Sequence, residues 1–295
     1  MSNKNKAALA VAAGLTIVLV AIWRLHSVDI PVLEPRGIIA QKERRLIITA
    51  LLLSLVVVIP VYAMLIGFAW KYREGNTKAR YEPDFDHSRL IESVWWGVPL
   101  ILITILAIIT WRSSHELDPF KALASSTPPL TIQAVSLEWK WLFIYPQQNI
   151  ASVNLVQLPV NTPINFEITS DAPMNSFWIP QLGGQIYAMS GMSTQLHLMA
   201  SQTGNYWGES ANISGTGFAG MHFIARASSA AAFDQWVNQT KKNPEKMDLQ
   251  TYAKLSTPSQ NDPVRYYGAA QNGLFNQVVS KYEAPVYFTA SAESP

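Results

Sequence analysis

The sequence predicts an α+β membrane protein: an N-terminal transmembrane helical hairpin, then a β-sandwich, then a helical C-terminal extension. Three observations carry this. Two long uncharged runs fall within the first 111 residues, short apolar or alternating runs punctuated by turn residues fill Leu130 to Arg226, and helical spacing returns beyond residue 230.

Taken in chain order, the first element is the largely apolar run of 17 residues from Ala7 to Trp23, preceded by Lys4 and Lys6. It reads equally as a signal peptide or as a retained signal anchor, within residues 1–28. The hairpin is assigned to residues 29–112. Leu46 to Trp70 is an uncharged run of 25 residues and Val94 to Trp111 one of 18. At about 1.5 Å per residue, each approaches or exceeds a hydrocarbon core of about 30 Å. Trp70, Trp95, Trp96 and Trp111 mark the ends, flanked by Arg44, Arg45, Lys71, Arg73 and Arg112, as interfacial anchors are. Pro60 lies inside the first run. A membrane helix tolerates proline where neighbouring helices re-satisfy the freed carbonyl, which implies a partner bundle.

Five Lys and Arg lie between Arg24 and Arg45 and five between Lys71 and Arg89, so loop charge alone does not orient the hairpin. Lys4 and Lys6 break the tie: kept inside, they place residues 112–295 outside.

Residues 113–129 read as a linker, with Pro and Ser in its second half, and residues 130–227 as an antiparallel sandwich of Greek-key type. Its runs include TIQAVSL, EWKWLFIY, INFEITS and TQLHLMA. Trp139 and Trp141 are expected on one face of a strand, since strand side chains alternate with period two. In residues 228–295, Phe233, Trp236 and Val237 have helical i, i+3, i+4 spacing. Tyr252, Tyr266, Tyr267, Phe275 and Tyr282 are read as packing residues.

Residues 113–295 carry 9 basic and 12 acidic side chains, a net charge of minus 3. No basic patch speaks for nucleic acid, and the charge is too small to argue for docking a basic protein. The chain has no cysteine, so the sandwich stands on its own core without disulfides. Its five histidines, His26, His87, His115, His197 and His222, show no metal-ligand spacing.

The stretch from Asn175 to Met221 reads NSFWIPQLGGQIYAMSGMSTQLHLMASQTGNYWGESANISGTGFAGM. It resembles the periplasmic domain of subunit II of the haem-copper oxidases. In the cytochrome c oxidizing branch, a His-Ser-aromatic motif and Cys-x-Glu-x-Cys-Gly-x-x-His-x-x-Met hold a two-copper centre. Matched position by position, Asn175 stands for the first His, Ser210 and Ser214 for the cysteines, Asn212 for the Glu and Phe218 for the second His. Met221 alone is kept. The bridging ligands of such a centre are soft thiolates, which this chain lacks.

The resemblance therefore points to the copper-free, quinol-oxidizing branch of the cytochrome o type. It implies a cupredoxin-like sandwich in the periplasm and a multi-pass hairpin in a bacterial inner membrane. It also implies a proton-pumping complex in which this chain carries no cofactor, while haems and copper reside in subunit I. The partners implied are subunit I and the other oxidase subunits, the lipid bilayer, and ubiquinol through the complex. No cytochrome c is expected. Relatives in this branch carry a lipid-modified Cys after the signal segment, which is missing here, and an aromatic-rich C-terminal segment, which is present.

Glu92, in LIESVWWGVP, resembles the carboxylate that family members place at the mouth of a proton-uptake pathway of subunit I. The plainer reading is a helix-start acid favoured by the dipole by about 0.3–1 kcal/mol. The alternative to an oxidase subunit is a membrane-tethered β-domain for assembly or envelope binding, without a respiratory partner.

Overall fold

The computed structural model describes residues 30–79 and 86–282, with Gly14, Thr16, Val20, Trp23 and Arg24 as helical positions ahead of them. The signal or anchor segment expected over residues 1–28 otherwise lies outside the described residues.

Two long helices, α1 (Ile38–Lys71) and α2 (Arg89–Glu116), contain the uncharged runs. Their most apolar windows have mean hydropathies of 2.7 and 2.1 and no buried residue. Side chains such as Leu52, Ile59, Leu65, Leu100 and Ile103 stand exposed along them. An apolar surface of this extent marks contact with lipid or with another subunit. At about 1.5 Å per residue, the 34 residues of α1 extend about 51 Å, well beyond a hydrocarbon core of about 30 Å. About 12 Å of that surplus is the start of the helix, Ile38 to Arg45, which carries the charges from Lys42 to Arg45.

That start is spliced into the sandwich. Gly37, the N-cap residue, offers no side chain to the helix N-terminus. The β-domain supplies acceptors instead: Gly37 N–H donates to Gln181 O at 3.0 Å, Ile38 N–H to Met199 O at 3.3 Å and Ala40 N–H to Leu182 O at 3.1 Å. A Cβ on Gly37 would lie 2.6 Å from the Leu182 carbonyl oxygen, so only glycine permits this approach.

The sandwich begins with β1 (Leu130–Leu137), β2 (Lys140–Tyr145), β3 (Ile150–Val153), β4 (Leu155–Pro159) and β5 (Ile164–Ser170). It continues with β6 (Asn175–Trp178), β7 (Ile186–Ala188), β8 (Thr194–Leu198), β9 (Gly204–Ser210) and β10 (His222–Ser228). The extension adds α3 (Ala230–Thr240), β11 (Lys246–Met247), α4 (Leu249–Leu255), β12 (Arg265–Tyr267), β13 (Ala269–Ala270) and α5 (Leu274–Ser280). One sheet has the order β12-β3-β2-β1-β5-β8, the other β4-β10-β9-β6-β7. The sheets are mixed rather than antiparallel throughout, because β1 runs parallel to β5 and β4 parallel to β10.

Trp139 and Trp141 do not share a strand face. Leu137 pairs with Lys140, leaving Glu138 and Trp139 as a two-residue turn. Trp139 takes φ 62° there, a left-handed conformation that costs an L-residue roughly 1–2 kcal/mol. Trp141 instead enters the core between the sheets, with ring centroids 5.2 Å from Phe177 and 5.9 Å from Phe223.

A second core lies on the outer face of the six-stranded sheet. There Val135, Leu142 and Val153 pack against Tyr252, Leu255, Leu274 and Phe275 of the extension. This explains why β2 is buried at every position and does not alternate. Helix α3 forms with the expected spacing, burying Phe233 and Val237 and setting Trp236 5.3 Å from Tyr145. The extension is thus part of the sandwich, with β12 completing one sheet.

Asp171 ties the end of this cap to the strands. Its side chain is 1% exposed. It accepts Tyr252 Oη at 2.7 Å, Lys281 Nζ at 2.7 Å and Tyr282 Oη at 2.5 Å. Burial pushes the Asp171 carboxyl up, but the donors on Lys281, Tyr282 and Tyr252 together outweigh it and hold it below the ordinary carboxylate value. Its contribution is therefore present above an unfolded value of about 3.9 and is lost as pH falls through the lower folded value. Hydrogen exchange over residues 249–282 is expected to accelerate in that acid window. Asp171→Ala should open the same region at neutral pH, at a cost of about 1–3 kcal/mol for the orphaned, buried Tyr252 hydroxyl. Unchanged exchange in this variant would rule out the clasp.

Candidate functional site

The expected ligand positions converge at one end of the five-stranded sheet. Strand β6 opens with Asn175 and β9 closes with Ser210. Residues 211–217 loop out, a 3-10 turn spans Phe218–Gly220, and Met221 precedes β10. The register places Ser210 opposite Phe177, while Ser210 N–H reaches Met221 O at 3.4 Å.

Within this nest Asn175 Nδ2 donates to Ser214 Oγ at 3.3 Å and to Met221 Sδ at 3.1 Å. Its Oδ1 accepts Ser176 N–H at 2.9 Å, and Ser176 Oγ donates to Asn212 Oδ1 at 3.1 Å. Trp141 Nε1 donates to Ser210 Oγ at 3.2 Å. Asn175, Ser210 and Met221 are buried, and their polar atoms are paired, Asn175 with Met221 and Ser214 and Ser210 with Trp141, instead of awaiting a ligand. Phe218 is held in the loop by its backbone, donating to Gly215 O at 3.2 Å.

Trp139 closes the nest, a role the sequence reading did not assign. Its Nε1 donates to Ser214 O at 3.3 Å, and its indole lies so close to Gly217 that a Cβ there would come within 2.3 Å. The glycines of SGTG are the one sequence signal for such an approach. Beneath the nest, Phe177 stacks on Phe223 at 5.1 Å, with Phe166 5.0 Å from Phe177.

The donor set does not fit copper. Two amides, two hydroxyls, a phenyl ring and a thioether supply neither thiolate nor imidazole, and none carries a charge to offset that of the metal. Among the described residues no group of three or more His, Cys, Asp and Glu is placed to hold a metal ion.

Glu92 is far from this nest. It sits in the first turn of α2, exposed, and the 28 residues of that helix separate its ends by about 42 Å. Glu92 and the nest are two places, not one site.

Residues 146–228 match the family described as cytochrome c oxidase subunit II, periplasmic domain, and residues 241–285 match the COX aromatic rich motif. The cytochrome bo(3) ubiquinol oxidase subunit 2 of Pseudomonas aeruginosa is 52% identical over 259 residues, covering 88% of this chain and 78% of that protein. This chain belongs to the ubiquinol oxidase subunit II family. The ubiquinol oxidase subunit 2 of Acetobacter aceti is 49% identical over 284 residues, 96% of this chain and 91% of the relative. The quinol oxidase subunit 2 of Bacillus anthracis is 35% identical over 228 residues, 77% of this chain and 78% of the relative. The aromatic-rich match of this quinol oxidase subunit coincides with β11, α4, β12, β13 and α5, which supply the extension's share of the second core.

Proposed function

We propose that this chain is the copper-free second subunit of a terminal oxidase that oxidizes quinol, reduces dioxygen and pumps protons across a bacterial inner membrane. The observation that carries the reading is the closed, uncharged nest at the ligand positions in a member of the quinol oxidase family. Quinol dissolves in the bilayer and delivers electrons there, so a water-side copper relay is dispensable. The hairpin then packs on subunit I, which holds haems and copper, and the sandwich covers its periplasmic face. The purified complex is expected to consume oxygen with quinol and not with reduced cytochrome c, and to contain no copper attributable to this chain. Two additional copper ions per complex, or turnover on cytochrome c, would overturn the reading.

In this orientation Glu92 lies at the cytoplasmic membrane boundary, and its carboxylate collects protons for subunit I. Among the described residues it makes no ion pair. Glu92→Ala is expected to slow proton-coupled turnover by up to roughly tenfold, the lower end of electrostatic focusing effects, while assembly and haem content stay unchanged. Oxygen uptake at the wild-type rate would remove Glu92 from the proton path.

A further inference from the structure

A cavity of about 270 Å³ opens where the hairpin meets the sandwich, between the first turns of α1, the end of α2, the following segment to Ala124, and the sandwich at Gly184 and His197. One wall is closed by an ion pair, Lys42 Nζ to Glu116 Oε1 at 2.6 Å. Three further charged groups line the cavity, and none forms an ion pair among the described residues: Glu43, Asp118 and Lys121. Asp118 is exposed, and its Oδ1 accepts Phe120 N–H at 3.0 Å. Glu43 is half-buried, and its carboxylate rests against Gly184, where a Cβ would lie 2.9 Å from Oε1. His197 is already engaged, with Nδ1 3.0 Å from Pro119 O. The cavity thus offers one cation, Lys121, and one half-buried carboxylate, Glu43, which accepts from the Gly184 backbone but has no side-chain partner among the described residues, with the exposed Asp118 beside them.

Its depth is set by the helices. The uncharged run of α1 begins at Leu46, three residues and about 4.5 Å beyond Glu43. Trp111, an interfacial anchor, lies five residues and about 7.5 Å before Glu116. Ile47 and Ile48 are exposed immediately below the cavity. In the membrane orientation proposed above, on which the inference rests, this is the level of lipid headgroups, with apolar helix surface beneath for acyl chains.

We propose that the cavity binds the zwitterionic headgroup of an aminophospholipid, its primary ammonium on Glu43 and its phosphate on Lys121. A quaternary ammonium cannot donate hydrogen bonds to Glu43, and an uncharged headgroup alcohol can donate one but brings no charge to offset that carboxylate. The same phosphoammonium chemistry exists in soluble form, so the source has to be tested as well.

The test uses the intact complex, reconstituted in bilayers of equal phosphatidylethanolamine, phosphatidylcholine and phosphatidylglycerol, then released and read by native mass spectrometry for retained lipid. The wild type is expected to retain phosphatidylethanolamine in preference to the other two. Glu43→Gln, which keeps the side-chain shape, should lower that retention roughly tenfold, the scale of one charge-assisted hydrogen bond. Lys121→Gln, at an exposed position where packing is not at stake, should lower it as well. Equal retention of the three lipids, or undiminished retention in Glu43→Gln, overturns the proposal. Free O-phosphoethanolamine at millimolar concentration should not displace the lipid, and full displacement would overturn the lipid source. Quinol-driven oxygen uptake on the same samples separates the two readings: an active complex without lipid selectivity refutes the cavity assignment alone.

Discussion

Asp262→Ala is expected to cost about 3–5 kcal/mol, the scale for removing one partner of a buried ion pair. Lys140, the first residue of β2, is only 1% exposed, and its Nζ lies 3.4 Å from Asp262 Oδ2. It also donates to Thr257 O at 2.9 Å and to Ser259 Oγ. Removing the carboxylate leaves a buried ammonium with neutral acceptors only, because Arg265, the other partner of Asp262, is itself a cation. The loss should appear first in the extension: hydrogen exchange accelerates over residues 246–282, while the core between the sheets around Phe177 and Phe223 keeps its protection. Burial pushes the Lys140 ammonium below its ordinary value, and Asp262 opposes that shift. In the variant the opposition is gone, so the folded state binds fewer protons than the unfolded one as pH approaches the ordinary lysine value. The deficit therefore shrinks as pH rises through that window. Lys140→Met combined with Asp262→Ala should recover much of the loss, since an apolar side chain has no charge to desolvate. A cost below about 1 kcal/mol for Asp262→Ala alone, a surface-pair value, would show that water reaches Lys140.

That pair is also invisible in the sequence. The hairpin was legible because the uncharged runs from Leu46 and Val94 have no soluble explanation at their length. The strands are legible as apolar runs, but nothing in EWKWLFIY marks its turn, since Glu138 and Trp139 lack the Gly or Asn that usually signals a left-handed position. The parallel pairing of β1 with β5 joins segments about thirty residues apart and leaves no local trace. Lys140 reads as a surface residue in any alternation scheme, because the face it occupies is covered only by chain more than a hundred residues later. At the nest the six positions follow from the family resemblance. Their closure does not, because Ser176 and Trp139 act through contacts that spacing does not encode.

Restoring the ligand set is expected to restore metal binding. Asn175→His, Ser210→Cys, Asn212→Glu, Ser214→Cys and Phe218→His, introduced together with Met221 retained, should bind two copper ions per chain, with none expected in the unsubstituted chain. The backbone argues for it. Asn175 already reaches both Ser214 Oγ and Met221 Sδ within 3.3 Å, so an imidazole and a thiolate at these positions begin near bonding distance. Ser to Cys changes one atom and supplies the bridging thiolates that neutral hydroxyls cannot replace. Metal binding at thiolate sites is worth on the order of 10 kcal/mol where it has been gauged with structural zinc. Position 218 is the weakest link, because Phe218 lies in the short 3-10 turn, where backbone hydrogen bonds to Gly215 and Met221 set its place. Leaving it as Phe should lower copper affinity without abolishing thiolate binding, whereas leaving either Ser in place should abolish the two-copper centre. Copper content and the thiolate-to-copper absorption of the purified protein distinguish these cases. A fully substituted chain without copper would mean that residues 211–220 no longer hold the geometry and that closure by Trp139 is incompatible with a metal. Copper uptake would instead locate the difference between the two branches in five side chains, with the surrounding frame unchanged.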